Sequence, residues 1–81
     1  MSKPSRPKVN LIPCDSSNVM SIGYDAATQT LEVRFHTGRV FHYHKVPPEH
    51  FDALRWAESV GKYLNHHIKH RFDYTRIDEE D

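Results

Sequence analysis

The chain is poor in the residues that build disulfides, metal sites and membrane spans. Cys14 is its single cysteine, which excludes an intramolecular disulfide and a zinc site built from several cysteines. No apolar run approaches the roughly 18 residues that a membrane-spanning helix needs. The basic start, MSKPSRPK, is followed by no hydrophobic stretch, so we expect no signal peptide and a cytoplasmic protein with a reduced thiol.

Neither sign of charge is in excess over the whole chain, but the C-terminal end differs from the rest. Lys and Arg number 11 and Asp and Glu number 11, so the net charge is zero with neutral histidines. Residues 78–81 are all acidic, which leaves residues 1–77 with eleven basic and seven acidic side chains, a net charge of +4. Such a tail is commonly a solvated end; the alternative is that it shields a basic face of the same molecule.

Length and composition predict one small domain between two terminal segments. A chain of 81 residues buries roughly 60% of its unfolded surface, so its core is small. Pro4, Pro7 and several basic residues mark residues 1–14 as a flexible arm. Residues 15–75 form the predicted domain, and residues 76–81 form a disordered acidic tail.

Alternation of apolar and polar side chains predicts three strands. Met20, Ile22 and Tyr24 recur at a period of two, as do Leu31, Val33 and Phe35, and residues 39–46 form the third strand. Because these strands follow one another closely in sequence, we expect them to pair as antiparallel hairpins.

The turn at Gly38 is compatible with two registers, which place opposite faces of the third strand in the core. A two-residue turn pairs Val33 with His42, whereas a three-residue loop with a bulge pairs Val33 with Phe41. Glycine adopts the positive φ of the bulged loop without steric cost. The hydrophobic pattern selects the bulged loop, which buries Phe41 and Tyr43 and leaves His42 and His44 exposed.

After residue 46 the period becomes helical, which predicts two helices. Pro48 suits the first position of one helix, and Ser59 is the predicted N-cap of the other. The buried stripe of the second helix is predicted to contain Val60, Tyr63, Leu64, His67 and Ile68. The fold class is therefore α+β, a three-stranded antiparallel β-meander with two C-terminal α-helices packed on one face.

A series of short motifs runs through most of the chain, over about residues 15–74. The motifs are Ser16-Ser17-Asn18, Ile22-Gly23-Tyr24-Asp25, Val46-Pro47 and Ser59-x-Gly61-x-Tyr63-x-Asn65-x-x-Ile68. In this order and spacing they resemble the KTSC domain, which occurs at the C-terminus of some lysyl-tRNA synthetases and as a stand-alone bacterial protein. The resemblance implies a domain without an assigned enzymatic activity, for which RNA binding has been suggested.

The central Tyr-x-Tyr of that family stands here as Phe41-His42-Tyr43, which lacks the first hydroxyl group. A phenylalanine can pack in a core but cannot donate or accept a proton. The substitution therefore favours a packing role for this ring over a catalytic one.

Candidate binding residues lie on the second predicted helix and beside the first. Lys62, His66 and Lys69 follow i, i+4, i+7 spacing, which predicts a basic edge in solvent, and Arg71 extends it. Such an edge neutralises phosphates without reading base sequence. Trp56 lies away from the apolar stripe of the first helix, where an exposed indole can stack on an unpaired base. The simpler alternative is a solvated helix face and an indole covered by the C-terminal segment.

We therefore predict a small non-catalytic module that binds RNA, tRNA-like or single-stranded, with no cofactor and no membrane contact. The alternative is a protein-interaction adaptor that uses the outer face of the sheet or an unpaired edge strand. The secondary candidate surface on that outer face consists of Arg34, His42 and His44.

The seven histidines do not form a recognisable metal site. His42 and His44 lie two residues apart on a strand, and His66 and His70 lie four apart on a helix, which are both spacings that can bind zinc. No third ligand is predicted to converge on either pair. Cys14 has no predicted base to activate it, so nucleophilic catalysis is not expected either.

Purified protein, with any affinity tag removed, should contain no stoichiometric zinc or nickel. The reason is that the predicted fold brings no three histidines together. Elemental analysis of the dialysed protein tests this expectation, and one equivalent of zinc per chain would contradict it.

Overall fold

A five-stranded antiparallel sheet carries the rest of the structure. The computed structural model describes residues 11–77. Its strands are β1 (Ile12–Pro13), β2 (Val19–Asp25), β3 (Thr30–Phe35), β4 (Val40–Tyr43) and β5 (Tyr74–Arg76), and they lie across the sheet in this order. Since every neighbour in the chain is also a neighbour in the sheet, each connection between β1 and β4 is local.

The predicted number of strands is wrong, whereas the α+β class with an antiparallel sheet and two helices is confirmed. The predicted meander corresponds to β2, β3 and β4. The two additional strands are β1, with two residues, and β5, with three, which are too short to show an alternating pattern. They form because an already folded edge strand offers its backbone groups: β1 pairs with β2 and β5 pairs with β4.

The bulged register of the β3–β4 hairpin is confirmed. Leu31 pairs with Tyr43 and Val33 pairs with Phe41, while Gly38 has a φ of 97°. The amide of Gly38 donates a hydrogen bond to the carbonyl oxygen of Phe35 at 2.9 Å. Tyr43 is fully buried as predicted, but Phe41 is only half-buried, because its ring lies at the margin of the core beside the half-exposed Tyr74.

A register shift in β2 changes which residues of this strand enter the core. The pairing of β2 with β3 is irregular between Val19 and Ser21, so the residue between them lies outside the regular alternation. Val19 is consequently buried and Met20 is 45% exposed, contrary to the predicted alternation.

The helical part of the chain begins and ends at the expected signals. Helix α1 spans Pro48–Arg55, and α2 spans Val60–Tyr63 and continues directly into a π-helical turn, Leu64–Ile68. Pro48 lies in the first turn of α1, as predicted. The predicted N-cap is also confirmed, because Ser59 Oγ accepts a hydrogen bond from the amide of Lys62 at 3.2 Å.

The core lies between one face of the sheet and the two helical segments. Its fully buried members are Val19, Ile22, Leu31, Val33, Tyr43, Val46, Leu54, Leu64 and Ile68. Each such side chain contributes about 1.5–3 kcal/mol through removal from water. At one end of the layer the rings of Tyr24 and Phe51 stack with centroids 5.1 Å apart, which ties β2 to α1. His67 lies outside the core, contrary to the predicted helical stripe.

The two predicted terminal segments fall mostly outside the described residues. Residues 12–13, at the inner end of the predicted arm, form β1, and residue 76, at the start of the predicted tail, ends β5. For residues 1–10 and 78–81 the predictions of a flexible arm and a disordered tail stay predictions.

The outer face of the sheet contains a buried polar cluster that the sequence pattern does not predict. His42 was predicted to be exposed but is 5% exposed, and its cross-strand neighbour Glu32 is 3% exposed. Glu32 Oε1 lies 2.8 Å from His42 Nε2, and Glu32 Oε2 accepts a 2.7 Å hydrogen bond from Arg34 Nε. The prediction failed because it assigned this face by polarity alone, whereas polar groups that bond to one another can shield each other from water.

The environment of Glu32 keeps its carboxyl group ionised. Burial is the largest single influence and raises the pKa of Glu32, but the hydrogen bonds and charges of Arg34 and His42 together outweigh it. The pKa of Glu32 is therefore lowered from its ordinary value of 4.5. A carboxyl group whose pKa is lower in the folded state stabilises the fold above its unfolded pKa and loses this contribution as the pH falls through the folded value.

Glu32→Gln should lower the free energy of unfolding by about 1–3 kcal/mol at pH 7, because it removes a charged acceptor from one buried and one partly buried hydrogen bond. The difference from the unchanged protein should shrink as the pH falls below 4.5 toward the folded-state pKa. Urea unfolding at a series of pH values measures both effects. Glu58→Gln, which alters an exposed carboxylate, is the matched control and should show a small difference at every pH. A Glu32→Gln effect that stays constant with pH would disprove the role assigned to this carboxylate.

Candidate functional site

An open groove lies where the β3–β4 hairpin meets the π-helical turn. We call it the aromatic groove, and it is lined by Asn18, Phe35, Thr37, Arg39, Phe41, Tyr43, Leu64, Asn65 and Lys69. Its volume is about 340 Å³, which is in the range of small-ligand sites. The hairpin contributes its floor and one rim, and the helix contributes the other rim.

The rims of the aromatic groove are cationic. Arg39 lies on the hairpin rim and Lys69 on the helical rim, and both side chains are exposed. Neither has an ion-pair partner within residues 11–77, and no Asp or Glu of that range lines the groove. The two positive charges are therefore available to an anionic ligand. No carboxylate from residues 11–77 lines the groove to repel such a ligand.

The floor of the groove is aromatic. Phe35 and Phe41 are half-buried and meet edge to face with centroids 5.6 Å apart, while Tyr43 is buried and meets Phe41 edge to face at 6.2 Å. Tyr74 of β5 stacks on Phe41 with centroids 5.1 Å apart and is 54% exposed. A planar ligand therefore finds aromatic surface in the groove, next to two positive charges.

The π-helical turn decides which cations share the groove. In a regular α-helix, Lys69 would lie within about 20° of Lys62 around the axis, as the sequence analysis assumed. The amide of Lys69 instead donates to the carbonyl oxygen of Leu64, five residues back, at 2.8 Å. One extra residue in a turn rotates everything after it by about 100° relative to the preceding helix. Lys69 thereby lines the aromatic groove together with Arg39.

The predicted basic edge is consequently divided among separate grooves. Lys62 and His66 line a shallow groove with the 57–59 loop, which also includes the carboxylate of Glu58. Arg71 lines another with His44, Lys45, Phe72 and Asp73. Both of these grooves mix positive and negative side chains, unlike the aromatic groove. The predicted residues therefore line different grooves, and their shared role in binding stays a prediction.

Trp56 is exposed, and residues 11–77 do not cover it. It follows the last residue of α1 and is 79% accessible to solvent. The guanidinium carbon of Arg55 lies 5.2 Å from the centre of its ring, a cation–π contact. None of the grooves described above includes Trp56, so it is a separate candidate contact.

The predicted secondary surface is engaged within the protein. His42 is buried against Glu32, and Arg34 bonds to the same carboxylate. His44 was also predicted to be exposed but is half-buried, and its Nε2 lies 2.7 Å from Thr75 Oγ1. These side chains hold β3, β4 and β5 together rather than projecting freely from the sheet, so His42 in particular is not an accessible contact residue.

The titratable side chains of residues 11–77 do not assemble a metal site or an activated nucleophile. In that range no three His, Cys, Asp or Glu residues are placed to hold a metal ion. His36 Nε2 lies 3.0 Å from the carbonyl oxygen of Ser16, and His50 Nδ1 lies 3.1 Å from Tyr63 Oη. Burial raises the pKa of the Cys14 thiol, which makes its reactive thiolate form scarcer.

A family model of the KTSC domain matches residues 15–72. This span takes in every described strand except β1 and β5, together with both helices and all of the aromatic groove. The chain belongs to the KTSC family. The resemblance seen in the short motifs is thereby confirmed.

The relatives of this chain include a short protein and part of a long enzyme. A protein of Tsukamurella paurometabola is 47% identical over 60 residues, which cover 74% of this chain and 90% of the relative. A lysine–tRNA ligase of Nostoc punctiforme is 34% identical over 67 residues, which cover 83% of this chain and 12% of the ligase. The crystal structure of a KTSC domain protein from Yersinia pestis matches with a TM-score of 0.83 and 30% identity, over 86% of this chain and 99% of that one.

Sequence reasoning missed several residues of the aromatic groove in this KTSC protein. Arg39, Asn18 and Asn65 were not among the predicted site residues, although they line the groove with Lys69. Arg39 could have been found from the bulged register, which places it beside Phe35 on the face of the sheet that carries the core. Nothing in the helical periodicity could have shown that Lys69 turns toward it, because a π-helical turn leaves no clear pattern in sequence.

Proposed function

We propose that this KTSC protein is a small non-catalytic module that binds single-stranded RNA in the aromatic groove. The observation that carries the proposal is that Arg39 and Lys69 flank a floor containing Phe35 and Phe41, with no acidic lining residue from the described part of the chain. Proteins that bind unpaired nucleic acid combine a positively charged groove with aromatic rings on which bases stack.

Each part of the groove matches one part of a nucleotide. The guanidinium group of Arg39 can bind a phosphate with two hydrogen bonds, and the ammonium group of Lys69 can neutralise a neighbouring one. Asn18 and Asn65 offer amide donors and acceptors to the edge of a base. A groove of about 340 Å³ accommodates an unpaired base, whereas the bases of a duplex are already stacked and paired.

The proposed activity is binding without chemistry. The residues from the described range that line the groove include no His, Cys, Asp or Glu that could act as a base or a nucleophile. A tyrosine is ordinarily protonated at neutral pH, and burial and then the neighbouring Tyr74 raise the pKa of Tyr43 further. These features support a binding role.

The lysine–tRNA ligase relative supports RNA as the ligand class and makes tRNA one of the molecules to test. No helix within residues 11–77 has the length and apolar composition needed to cross a membrane. The cytoplasmic location expected from the sequence is compatible with an RNA ligand and stays a prediction.

The main competing function is a protein-interaction adaptor. An adaptor would bind through exposed apolar groups such as Trp56 and Tyr74, which are 79% and 54% accessible. Salt dependence separates the two functions, because contacts to phosphates release counterions and contacts between apolar surfaces do not. Failure to bind any RNA at low salt would leave the adaptor as the better explanation.

Lys69→Glu should weaken RNA binding strongly, and Lys62→Glu should weaken it little. Both lysines are exposed on the same helical segment and both changes alter the charge equally, but only Lys69 lines the aromatic groove. Fluorescence anisotropy with labelled single-stranded RNAs at several salt concentrations measures the affinities. For two phosphate contacts on a single strand, the slope of log K against log salt should be about −1.4. The double variant Arg39→Glu/Lys69→Glu should lose this salt dependence, because both phosphate contacts are removed. Equal losses in the two single variants would refute the groove as the site.

Trp56→Ala should weaken RNA binding by about 1–3 kcal/mol if a base stacks on the indole, while Trp56→Phe should retain most of the affinity. The expectation follows from the 79% exposure of Trp56 and the guanidinium group beside it. Because Trp56 is the only tryptophan, quenching of the intrinsic fluorescence by RNA reports directly on this ring. Unchanged affinity in Trp56→Ala would remove Trp56 from the interface and leave the groove unaffected.

A further inference from the structure

A second groove lies where β4 ends against the segment that leads into β5. We call it the side groove, and it is lined by His44, Lys45, Arg71, Phe72 and Asp73. Its volume is about 370 Å³, similar to that of the aromatic groove. The amide of His44 donates to the carbonyl oxygen of Asp73 at 2.9 Å, which fixes the two chain segments of the side groove against each other.

The charged side chains of the side groove do not pair with one another. Lys45, Arg71 and Asp73 are all exposed, and none of them has an ion-pair partner among residues 11–77. The groove therefore presents two free cations together with one free carboxylate. A complementary ligand carries an anionic group for the cations and a hydrogen-bond donor for the carboxylate.

We propose that the side groove binds the next nucleotide of an RNA strand held in the aromatic groove. Lys45 and Arg71 bind its phosphate, and the carboxylate of Asp73 accepts a hydrogen bond from its ribose 2′-hydroxyl group. Deoxyribose lacks this donor, so the side groove selects RNA over DNA. The inference rests on the proposed function, because it extends the strand that the aromatic groove holds.

The two grooves are close together in space. Tyr43 of the aromatic groove and Lys45 of the side groove are two residues apart in sequence, as are Lys69 and Arg71. Consecutive Cα atoms are 3.8 Å apart, so the Cα atoms within each pair are separated by at most about 7.6 Å. The amide of Arg71 donates to the carbonyl oxygen of Ile68 at 3.0 Å, which fixes the turn between the two cations. One strand of a few nucleotides can therefore occupy both grooves.

Tyr74 adjoins both grooves and provides aromatic surface between them. It follows Asp73 of the side groove in the chain, and its ring stacks on Phe41 of the aromatic groove with centroids 5.1 Å apart. The side chain of Tyr74 is 54% exposed. Bases stack on exposed rings of this kind, so the path from one groove to the other suits an unpaired strand.

The backbone of Lys45 allows its charge to be removed without strain. Lys45 has a φ of 59°, in the left-handed region that asparagine adopts more readily than most other residues with a side chain. Lys45→Asn therefore removes the charge and keeps a residue that suits this backbone. Arg71→Gln removes the second charge from an exposed position.

The length of the RNA tests whether the side groove extends the binding site. The Lys45→Asn/Arg71→Gln variant should bind octauridylate about three- to tenfold more weakly, as expected for two exposed charge contacts. Its affinity for 5′-phosphorylated diuridylate should change less than about twofold, because the two phosphates of this ligand occupy the aromatic groove. Lys62→Gln, which removes an exposed cation outside both grooves, is the control and should affect both ligands little. NMR titration at low salt measures the affinities.

The sugar of the ligand tests the role of Asp73. Octauridylate should bind about three- to tenfold more tightly than octadeoxyuridylate, and Asp73→Ala should reduce this ratio toward one. Both strands carry the same phosphate charge, so the ratio is insensitive to the loss of a negative charge as such. Glu58→Ala removes an exposed carboxylate outside the aromatic and side grooves and should leave the ratio unchanged.

The backbone amide signals in the same titrations separate the inference from the proposed function. With octauridylate, the signals of Arg39 and Phe41 should report the aromatic groove, and those of Lys45 and Asp73 the side groove. If only the first pair of signals moves, or if Asp73→Ala leaves the ratio of RNA to DNA affinity unchanged, the inference is overturned and the proposed function stands. If only the second pair moves, the aromatic groove is refuted as the site. Absence of any RNA binding at low salt would overturn both.

Discussion

The left-handed backbone of Gly38, with its φ of 97°, closes the β3–β4 hairpin with a bulge, and the rest of the structure depends on the resulting register. Leu31, Val33 and Tyr43 thereby face the helices and form the centre of the core. A slip by one residue would move these side chains to the opposite face of the sheet. The same register sets Arg39 beside Phe35, since the amide of Phe35 donates to the carbonyl oxygen of Arg39 at 2.9 Å.

A second local irregularity completes the candidate site. Without the π-helical turn, Lys69 would continue the edge that begins at Lys62, and Arg39 would be the only cation of the described chain at the groove. The π-helical turn is the last turn of this helical segment, since no helical residue follows Ile68, and Lys69 comes directly after it. Here the extra residue brings a lysine to the rim of an aromatic floor. The groove is therefore a product of two departures from regular geometry, one at a turn and one in a helix.

The outer face of the sheet shows how a small domain uses polar groups where it has few apolar ones. Glu32 bonds to both His42 and Arg34, and His44 bonds to Thr75 of the edge strand. Within residues 11–77 no buried side-chain nitrogen or oxygen lacks a hydrogen-bond partner. A network in which every buried member is satisfied avoids the cost of an unpaired polar group and joins three strands across their width. The histidines that suggested metal binding are thus partly explained as structural residues.

The sequence by itself determined the elements whose signals are local: the alternation in β3, the glycine of the bulged turn, the proline at the start of α1 and the N-cap Ser59. These features act within a few residues of the chain, so their pattern is enough to predict them. Tertiary structure alone decided the rest. β1 and β5 form because each pairs with an edge of the sheet. His42 is buried because Glu32 lies opposite it on the neighbouring strand. Lys69 belongs to the candidate site because its amide bonds five residues back, to Leu64, in a π-helical turn. Each of these outcomes depends on a partner that is distant in sequence or on a backbone irregularity that no periodicity reveals.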